Sequence, residues 1–256
     1  MSDDRVTYSV AEGIARLTLN RPAKRNALDD ASVRALHDAL GVGERDEAVR
    51  VIAIQGAGSD FCAGADLQQL ERIAAGADAL ENLDDASALG DLFIRIRRAR
   101  KPVVALVHGN AIAGGAGLAT ACDLVLARED AVFGYPEIHL GFVPAMVMAL
   151  LRRALGEKRA FELVARGDRI SAQHALELGL VNRVYPRDSF DDETDAYLRG
   201  FTARSASALR LTKRLLYGMD GMSFEEAIAR GAEVNVLARA TEDCKQGVRD
   251  FLAKKR

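Results

Sequence analysis

The sequence predicts an α/β fold followed by a helical region. Before Pro144, strand-like apolar segments alternate with segments of helical periodicity, a pattern typical of a largely parallel sheet. From Pro144 onward, nearly every segment has helical spacing. The chain has 256 residues, of which 49% are hydrophobic, and is therefore long enough to bury a large core.

The first segment predicts a β-hairpin. Apolar and polar residues alternate on both sides of Glu12 and Gly13, and Pro22 ends the second strand. Asp29 or Asp30 can cap the helix that follows, whose apolar positions repeat at helical spacing. The stretch RVIAIQGA is then expected to be a short buried strand.

The same cycle of strand and helix then repeats. LGDLFIRIRRARKP predicts a helix that ends before Pro102, VVALVHG a strand, AIAGGAGLATACD a turn and helix, and DLVLARE another strand. Residues 73–90, rich in Ala, Asp and Gly, fit a mobile insertion or a solvated helix about equally. In the helical region, Ser223 and Glu226 have the spacing of a capping box.

Composition argues against several classes of function. Lys plus Arg number 35 and Asp plus Glu 37, for a net charge of -2, so we expect no basic surface for nucleic acid. Cys62, Cys122 and Cys244 lack the spacing of a disulfide framework or a zinc site. A nucleophilic triad of Cys62, His108 and Asp66 can be drawn, but nothing in the sequence fixes its distances. No apolar run reaches the ~18 residues of a membrane span and the N-terminus lacks a secretory pattern, which predicts a cytoplasmic protein with no membrane partner.

The run AIAGGAGLATACD, residues 111–123, contains no phosphate-binding motif. Gly114 and Gly115 are followed by Ala116 and Gly117 rather than by the Lys and Ser or Thr of a P-loop, and the GxGxxG spacing is absent. The sequence also lacks GxSxG and HExxH, the motifs that would support a serine hydrolase or a metalloenzyme.

Two turns rich in small residues follow predicted strands. DFCAGADL, residues 60–67, follows VIAIQGAG, and the glycine run follows VVALVHG. Backbone N–H groups at the start of a helix are uncovered and lie at the positive end of its dipole, so they can bind a negative charge. One N–H group from each turn would form an oxyanion hole. Alternatively, the glycines only allow close packing of helix against strand.

Six stretches, in order along nearly the whole chain, form a further pattern. They are LTLNRPAKRNAL (17–28), FCAGADL (61–67), VHGNAIAGGAGLATACDLVLA (107–127), FGYPEIHLGFVP (133–144), ALELGLVNRV (175–184) and TEDCKQGVRDFL (241–252). Together they resemble the crotonase family, the enoyl-CoA hydratase and isomerase superfamily. The resemblance implies a crotonase-like spiral of ββα units over residues 1–198, with the oxyanion hole and the CoA site. It also implies a helical oligomerisation region over residues 199–256, in a homotrimer or a dimer of trimers.

The resemblance also implies an acyl-CoA thioester as the ligand, with coenzyme A as part of the substrate and no separate cofactor or metal. By motif position, the amides of Ala63 and Gly114 hold the thioester oxygen. Gly64, Ala65 and Asp66, together with Ala63, belong to the CoA-binding set.

The stretch RPAKRNAL adds three residues to that set. By resemblance, Lys24, Arg25 and Ala27 lie along the pantetheine, phosphates and adenine of coenzyme A. The charges of Lys24 and Arg25 suit phosphate, although exposed basic residues in a loop are commonly only solvated. Asp66 also has the alternative role of capping the helix that follows.

The sequence departs from the family pattern at one catalytic position. Typical hydratases of the family have two glutamates; Gly117 stands at the first position and Glu137 at the second. A single buried carboxylate has a raised pKa and suits general acid/base catalysis, whereas without the family context Glu137 would be an ion-paired residue at a strand end.

GGAGLATACD and EIHLGFVPAMVMALLRRALGEKRA resemble bacterial hydratases of the methylglutaconyl-CoA type, which also have glycine at that first position. This resemblance favours a lyase that adds water to a 2-enoyl-CoA, with a branched, acidic acyl group as one candidate. The expected setting is fatty acid metabolism or branched-chain amino acid degradation. A 3-enoyl-CoA to 2-enoyl-CoA isomerase using Glu137, and a non-catalytic CoA-binding protein, are the alternatives.

Overall fold

The computed structural model describes residues 5–66, 71, 75, 76 and 78–254. The strands are β1 (Val6–Ala11), β2 (Ile14–Leu19), β3 (Val51–Gly56), β4 (Val103–Val107), β5 (Asn110–Ile112), β6 (Leu124–Arg128), β7 (Val132–Gly134), β8 (Arg169–Ser171) and β9 (Arg183–Tyr185). The α-helices are α1 (Asp30–Arg45), α2 (Ala79–Arg98), α3 (Gly114–Ala121), α4 (Ala145–Leu155), α5 (Glu157–Arg166), α6 (Ala172–Leu178), α7 (Phe190–Thr202), α8 (Ala206–Gly218), α9 (Phe224–Ala240) and α10 (Glu242–Ala253). Short 3-10 helices cover Pro22–Lys24, Pro136–Leu140 and Arg187–Ser189. The predicted α/β arrangement with a helical C-terminal region is confirmed.

The strands form two sheets. The larger has six strands in the order β1-β2-β3-β4-β6-β9, and the smaller has the order β5-β7-β8. In the larger sheet only β1 and β2 pair antiparallel, and the other neighbours pair parallel. In the smaller sheet, β5 and β7 are parallel and β7 and β8 antiparallel. Parallel strands bring their carboxyl ends to one edge, which is where ligands bind in such sheets.

The predicted hairpin is confirmed. Ala11 pairs with Ile14, and the turn residues Glu12 and Gly13 both have positive φ, of 51° and 79°. Two left-handed residues in a two-residue loop match the twist of the flanking strands. Asp29 caps α1 by accepting a hydrogen bond from the amide of Ser32 at 2.8 Å.

The centre of the larger sheet is buried on both faces. All five residues of β4 are buried, as parallel strands require when both faces are covered. One face packs on α1, α2 and α3 with side chains such as Leu36, Phe93 and Leu118. The other face packs on α7 through Phe190 and Leu198.

The helical C-terminal region is joined to the sheet by a buried polar contact. Lys213 on α8 donates from Nζ to Asp123 Oδ2 at 2.7 Å, and Tyr217 OH donates to Asp123 Oδ1 at 2.7 Å. The capping box of Ser223 and Glu226 is present at the start of α9. The predicted boundary at residue 198 falls within α7, so the division into two regions stays a prediction.

Residues 79–90 of the predicted insertion belong to α2, whereas residues 73, 74 and 77 lie outside the described residues. Within the described part of the chain, no helix is long and apolar enough to cross a bilayer.

Candidate active site

The two turns predicted to form an oxyanion hole lie side by side. A short parallel bridge joins Cys62 to Ala111: the Cys62 amide donates to Asn110 O at 2.9 Å, and the Ile112 amide donates to Cys62 O at 3.0 Å. A Cβ atom added at Gly64 would lie 3.5 Å from the Gly114 nitrogen. The structure therefore brings together the carboxyl ends of these two segments.

The second turn places a helix N-terminus at this point. Ala113 precedes α3 and has φ 50° and ψ −122°, a conformation that costs a non-glycine residue of the order of 1–3 kcal/mol. Its amide donates to Gly134 O at 2.8 Å, which holds the turn against β7. Gly114 is the first residue of α3, so its amide has no acceptor within the helix, and the described residues supply none elsewhere.

The adjacent residues Gly114 and Gly115 differ in how much space surrounds them. A Cβ added at Gly115 would lie 2.3 Å from Cys62 O, so this position requires glycine for close packing. A Cβ at Gly114 would meet only Leu89 Cδ2, at 3.6 Å. Packing therefore explains Gly115, whereas a side chain at Gly114 would meet no atom closer than Leu89 Cδ2.

In the first turn, the free amide belongs to Ala65 and not to the predicted donor Ala63. The Ala63 amide donates to Arg25 O at 3.0 Å and is already engaged, which argues against the prediction that it holds a substrate oxygen. On either side of Ala65, Gly64 O accepts from the Leu28 amide at 2.7 Å, and the Asp66 amide donates to a carbonyl. Because Leu28 pairs with the residues on both sides of Ala65, the Ala65 amide points away from Leu28. The described residues supply no acceptor for this amide. Sequence reasoning missed this choice because long-range pairing decides it.

The loop of residues 21–28 contains the three predicted CoA residues and packs on the first turn. Lys24 and Arg25 are exposed, whereas Ala27 is only 8% exposed. Asn26 supports the loop: its side chain donates to Ala57 O at 2.8 Å and accepts from the Arg21 amide at 2.9 Å. Asn26 was missed by sequence reasoning; its positive φ of 56°, which Asn tolerates better than most residues, is a signal that a sequence shows only weakly.

Asp66 lies in a buried ion pair. Arg21 Nη2 donates to Asp66 Oδ2 at 2.7 Å, and Arg21 Nη1 donates to Ala27 O at 2.7 Å. Asp66 is 4% exposed, so its carboxylate connects the two loops and does not face the open space. The alternative that Asp66 caps a helix concerns residues 67–70, which lie outside the described residues.

Glu137 lies in the short helix that follows β7. The preceding Tyr135 is fully buried, and its hydroxyl lies 2.7 Å from Thr120 Oγ1 on α3. This contact joins the chain two residues before Glu137 to the last turn of α3, and the Ala113 amide binds Gly134 O, three residues before Glu137. The carboxylate oxygen Oε2 is buried without a hydrogen-bond partner among the described residues, and burial raises the pKa of Glu137. The ion pair considered as an alternative for Glu137 is absent from the described residues.

The position of a second carboxylate is filled by apolar side chains. A Cβ added at Gly117 would lie 2.6 Å from Val147 Cγ2 and 3.0 Å from Phe93 Cζ. A glutamate therefore does not fit at Gly117 unless these residues move. Of the two family positions for a carboxylate, only Glu137 has one.

The structure does not form the triad of Cys62, His108 and Asp66. Cys62 is fully buried, which raises the pKa of its thiol to about 12. His108 Nε2 lies 3.1 Å from Gly58 O, and Asp66 pairs with Arg21. A thiol with so high a pKa is a poor nucleophile. The described residues also contain no group of three His, Cys, Asp or Glu side chains that could hold a metal ion.

The fold and the site define a class of protein. Two neighbouring turns have free amides, a half-buried glutamate has one buried and unpaired oxygen, and the structure matches known crotonase folds. The structure superposes on an enoyl-CoA hydratase of Mycobacterium smegmatis with a TM-score of 0.92 and 34% identity, covering 98% of this chain and 96% of the other. It also superposes on a crotonase-type protein of Legionella pneumophila with a TM-score of 0.90 and 32% identity, covering 98% and 96% of the two chains. The predicted crotonase fold is confirmed.

The chain belongs to the enoyl-CoA hydratase/isomerase family, whose model matches residues 9–256. It is 42% identical over 242 residues to an enoyl-CoA hydratase homologue of Thermus thermophilus, which covers 94% of this chain and 95% of the relative. It is 35% identical over 240 residues to the 2,3-dehydroadipyl-CoA hydratase of Escherichia coli, which covers 93% and 92%. The predicted family is confirmed.

Proposed function

We propose that the protein is a lyase that adds water to a 2-enoyl-CoA thioester. The observation that carries the proposal is the buried, unpaired Oε2 of Glu137, which comes three residues after Gly134, the residue whose carbonyl binds the turn before the free Gly114 amide. Coenzyme A is part of the substrate, and no separate cofactor is needed.

The amides of Ala65 and Gly114 are the proposed oxyanion donors. The thioester oxygen accepts a hydrogen bond from each, and the bonds strengthen as negative charge moves onto that oxygen. We assign this role to Ala65 and not to Ala63, because the Ala63 amide already donates a hydrogen bond to Arg25 O. A fixed pair of donors stabilises the enolate without reorganisation during the reaction.

Glu137 carries the proton in both halves of the reaction. Its carboxylate accepts a proton from water while the water oxygen bonds to C3, and the C2–C3 π electrons move through the carbonyl onto the thioester oxygen. The enolate then collapses, and Glu137 returns the proton to C2. The raised pKa of Glu137 suits a group that must both accept and donate a proton near neutral pH.

Isomerisation of a 3-enoyl-CoA to a 2-enoyl-CoA is the second candidate. The packing of Val147 and Phe93 at Gly117 favours it, because a shift of one proton between C4 and C2 needs one carboxylate. Both reactions pass through the same enolate and use the same two amides.

Lys24 and Arg25 are proposed to bind the phosphates of coenzyme A, and Ala27 to lie along the adenine side. Lys24 and Arg25 are exposed on a loop that pairs with the Ala65 turn, so a CoA chain leaving the oxyanion site passes close to both.

We also propose assembly as a homotrimer or a dimer of trimers through the C-terminal region. Large apolar side chains are exposed there: Leu216 (62%), Phe224 (75%), Ile228 (60%) and Val236 (65%). Large apolar side chains left exposed in one region are typical of protein interfaces when they form a patch. Light scattering after gel filtration should give three or six times the 27.6 kDa chain mass, whereas a monomer would contradict this proposal.

The function is tested by incubating the protein with crotonyl-CoA, 3-methylglutaconyl-CoA and a 3-enoyl-CoA in parallel. Loss of enoyl-thioester absorbance with a mass gain of one water establishes a hydratase. Gain of absorbance without a change in mass establishes an isomerase. CoA binding without either reaction would support the non-catalytic alternative and contradict the proposal.

A further inference from the structure

The chain segment that precedes Glu137 is tied to α3 by two hydrogen bonds. Just before α3 begins, the Ala113 amide donates to Gly134 O at 2.8 Å. In the last turn of α3, Thr120 Oγ1 lies 2.7 Å from the Tyr135 hydroxyl. Because Gly134 and Tyr135 are adjacent in the chain, these two contacts fix the end of β7 against both ends of α3.

The tyrosine hydroxyl is the donor in the second contact. The Thr120 hydroxyl has one proton, which it donates to Ala116 O at 2.7 Å. The Tyr135 hydroxyl therefore donates to Thr120 Oγ1, and the two hydroxyl groups form a chain that ends on a carbonyl in the first turn of α3. Burial raises the pKa of Tyr135, the bond with Thr120 lowers it, and the charge of Glu137 raises it further, so the hydroxyl stays protonated.

Packing alone does not require a hydroxyl group at Tyr135. The side chain is fully buried in the main core, where the ring of a phenylalanine would fill the same space. A buried hydroxyl is unfavourable unless it is hydrogen-bonded, and Thr120 is its partner among the described residues. The hydroxyl therefore contributes a directional bond between the end of β7 and α3.

The chain has little freedom between Tyr135 and the carboxylate. Only Pro136 lies between Tyr135 and Glu137, and its ring fixes its own φ. On the other side, Glu137 O accepts a hydrogen bond from the Phe142 amide at 3.0 Å. The charge of Glu137 acts on Tyr135, so the carboxylate lies within electrostatic reach of the hydroxyl. Of the side chains before Glu137, Tyr135 is therefore the one that connects this segment to α3.

We infer that Tyr135 is a positioning residue, which sets the place of the Glu137 carboxylate relative to the Gly114 amide. Its hydroxyl does so through the hydrogen bond to Thr120. The inference rests on the proposed function, in which Glu137 carries the proton and the Gly114 amide binds the thioester oxygen. Because a base must lie within hydrogen-bond reach of the proton that it takes, a small displacement of Glu137 lowers the rate steeply. Tyr135 is fully buried and acts through Glu137, not on the substrate.

Tyr135→Phe removes the hydroxyl and keeps the ring. With crotonyl-CoA, or with a 3-enoyl-CoA if the protein is an isomerase, we expect kcat to fall about 10–100-fold, because a displacement of about 1 Å has an effect of that size. The affinity for the CoA product, measured by calorimetric titration, should stay near that of the wild type, because the two amides and the loop of residues 21–28 are unchanged. An unchanged kcat, or an equal loss of kcat and affinity, would overturn the inference.

Variants of Thr120 and Tyr217 control for losses of packing and stability. Thr120→Val removes the partner hydroxyl with nearly the same shape and should reproduce the loss of kcat, whereas Thr120→Ser keeps the hydroxyl and should restore most of the rate. Tyr217→Phe removes a hydroxyl that donates to Asp123 Oδ1 at 2.7 Å in the helical C-terminal region, and should leave kcat unchanged. A loss of kcat in Tyr217→Phe as large as that in Tyr135→Phe would show a general effect of stability and overturn the inference.

A double-mutant cycle tests whether Tyr135 acts through Glu137. If it does, Tyr135→Phe should have far less effect on the residual kcat of Glu137→Gln than on the kcat of the wild type, because the carboxylate that Tyr135 positions is already absent. An equal fold-loss in both backgrounds would show that Tyr135 acts independently of Glu137 and would contradict the inference.

A measurement without turnover separates this inference from the proposed function. The Glu137 carboxyl is followed by ¹³C NMR in protein labelled at its glutamate carboxyl groups, with Glu137→Gln to assign the resonance. Burial raises the pKa of Glu137, and a hydrogen bond from its own amide lowers it. A segment released by Tyr135→Phe admits water, so the pKa should move towards the ordinary 4.5, whereas Tyr217→Phe should leave it unchanged. If the wild type turns over neither substrate, the proposed function fails, and the NMR titration still decides the inference: an unchanged pKa in Tyr135→Phe would overturn it.

Discussion

Replacing Glu137 by glutamine should remove activity while keeping the fold. The proposed reaction uses one carboxylate, because Val147 and Phe93 occupy the space beside Gly117. Glutamine has nearly the same shape but cannot accept the proton of water, so we expect kcat to fall about 10²–10⁴-fold, the usual contribution of a general base. The affinity for the CoA product should change little, since the two amides and the loop of residues 21–28 are untouched.

The same substitution makes a prediction about stability. Burial raises the pKa of Glu137 above its value in the unfolded chain, so the folded state holds this proton more tightly. The linked contribution to stability is therefore present at low pH and is lost as pH rises through the raised pKa. At neutral pH the Glu137→Gln protein should unfold at a temperature equal to or above that of the wild type.

The assay is the loss of conjugated enoyl-thioester absorbance, with thermal unfolding of both proteins in the same buffer. In the wild type, kcat/KM should fall with a single protonation as the pH drops through a pKa above the ordinary 4.5 of glutamate, because the base must be ionised. Activity of Glu137→Gln within threefold of wild type, or an unaltered acid limb in that variant, would refute the role of Glu137.

Three further substitutions test the surroundings of the site. Gly114→Val should lower both CoA-thioester affinity and kcat, because the new side chain projects into the open space beside the amide; steady-state kinetics with unaffected values would exclude this amide as a donor. Gly117→Ala should lower the free energy of unfolding, measured by denaturant titration, by about 1–3 kcal/mol, because its Cβ would lie 2.6 Å from Val147 Cγ2. The control Gly200→Ala lies in open space on α7 and should leave the free energy of unfolding unchanged or raise it. Arg21→Met should reduce kcat more than it raises KM, because it removes the ion pair with Asp66 that fixes the Ala65 turn. Arg21→Lys should recover part of the rate. A change in KM alone would contradict a positioning role for Arg21.

Local features of the fold could be predicted from the sequence. The hairpin at Glu12 and Gly13, the cap at Asp29 and the capping box at Ser223 each depend on residues within a few positions of one another, and the structure has all three. The change to helices after Pro144 follows from the same kind of short-range pattern.

The details of the site depended on contacts that a linear sequence does not show. The choice between the Ala63 and Ala65 amides is made by a hydrogen bond to Arg25, far away in the chain. The absence of a second carboxylate was visible as Gly117, but its filling by Phe93 and Val147 was not, because those residues come from two other helices. The CoA assignments of Lys24, Arg25 and Ala27 rest on family resemblance and stay predictions.

The reaction with crotonyl-CoA in ¹⁸O-labelled water tests the central claim most directly. We expect an intact thioester whose mass increases by one labelled water, with the label on C3. Recovery of unchanged crotonyl-CoA, or release of free coenzyme A with the label in the acid, would contradict it.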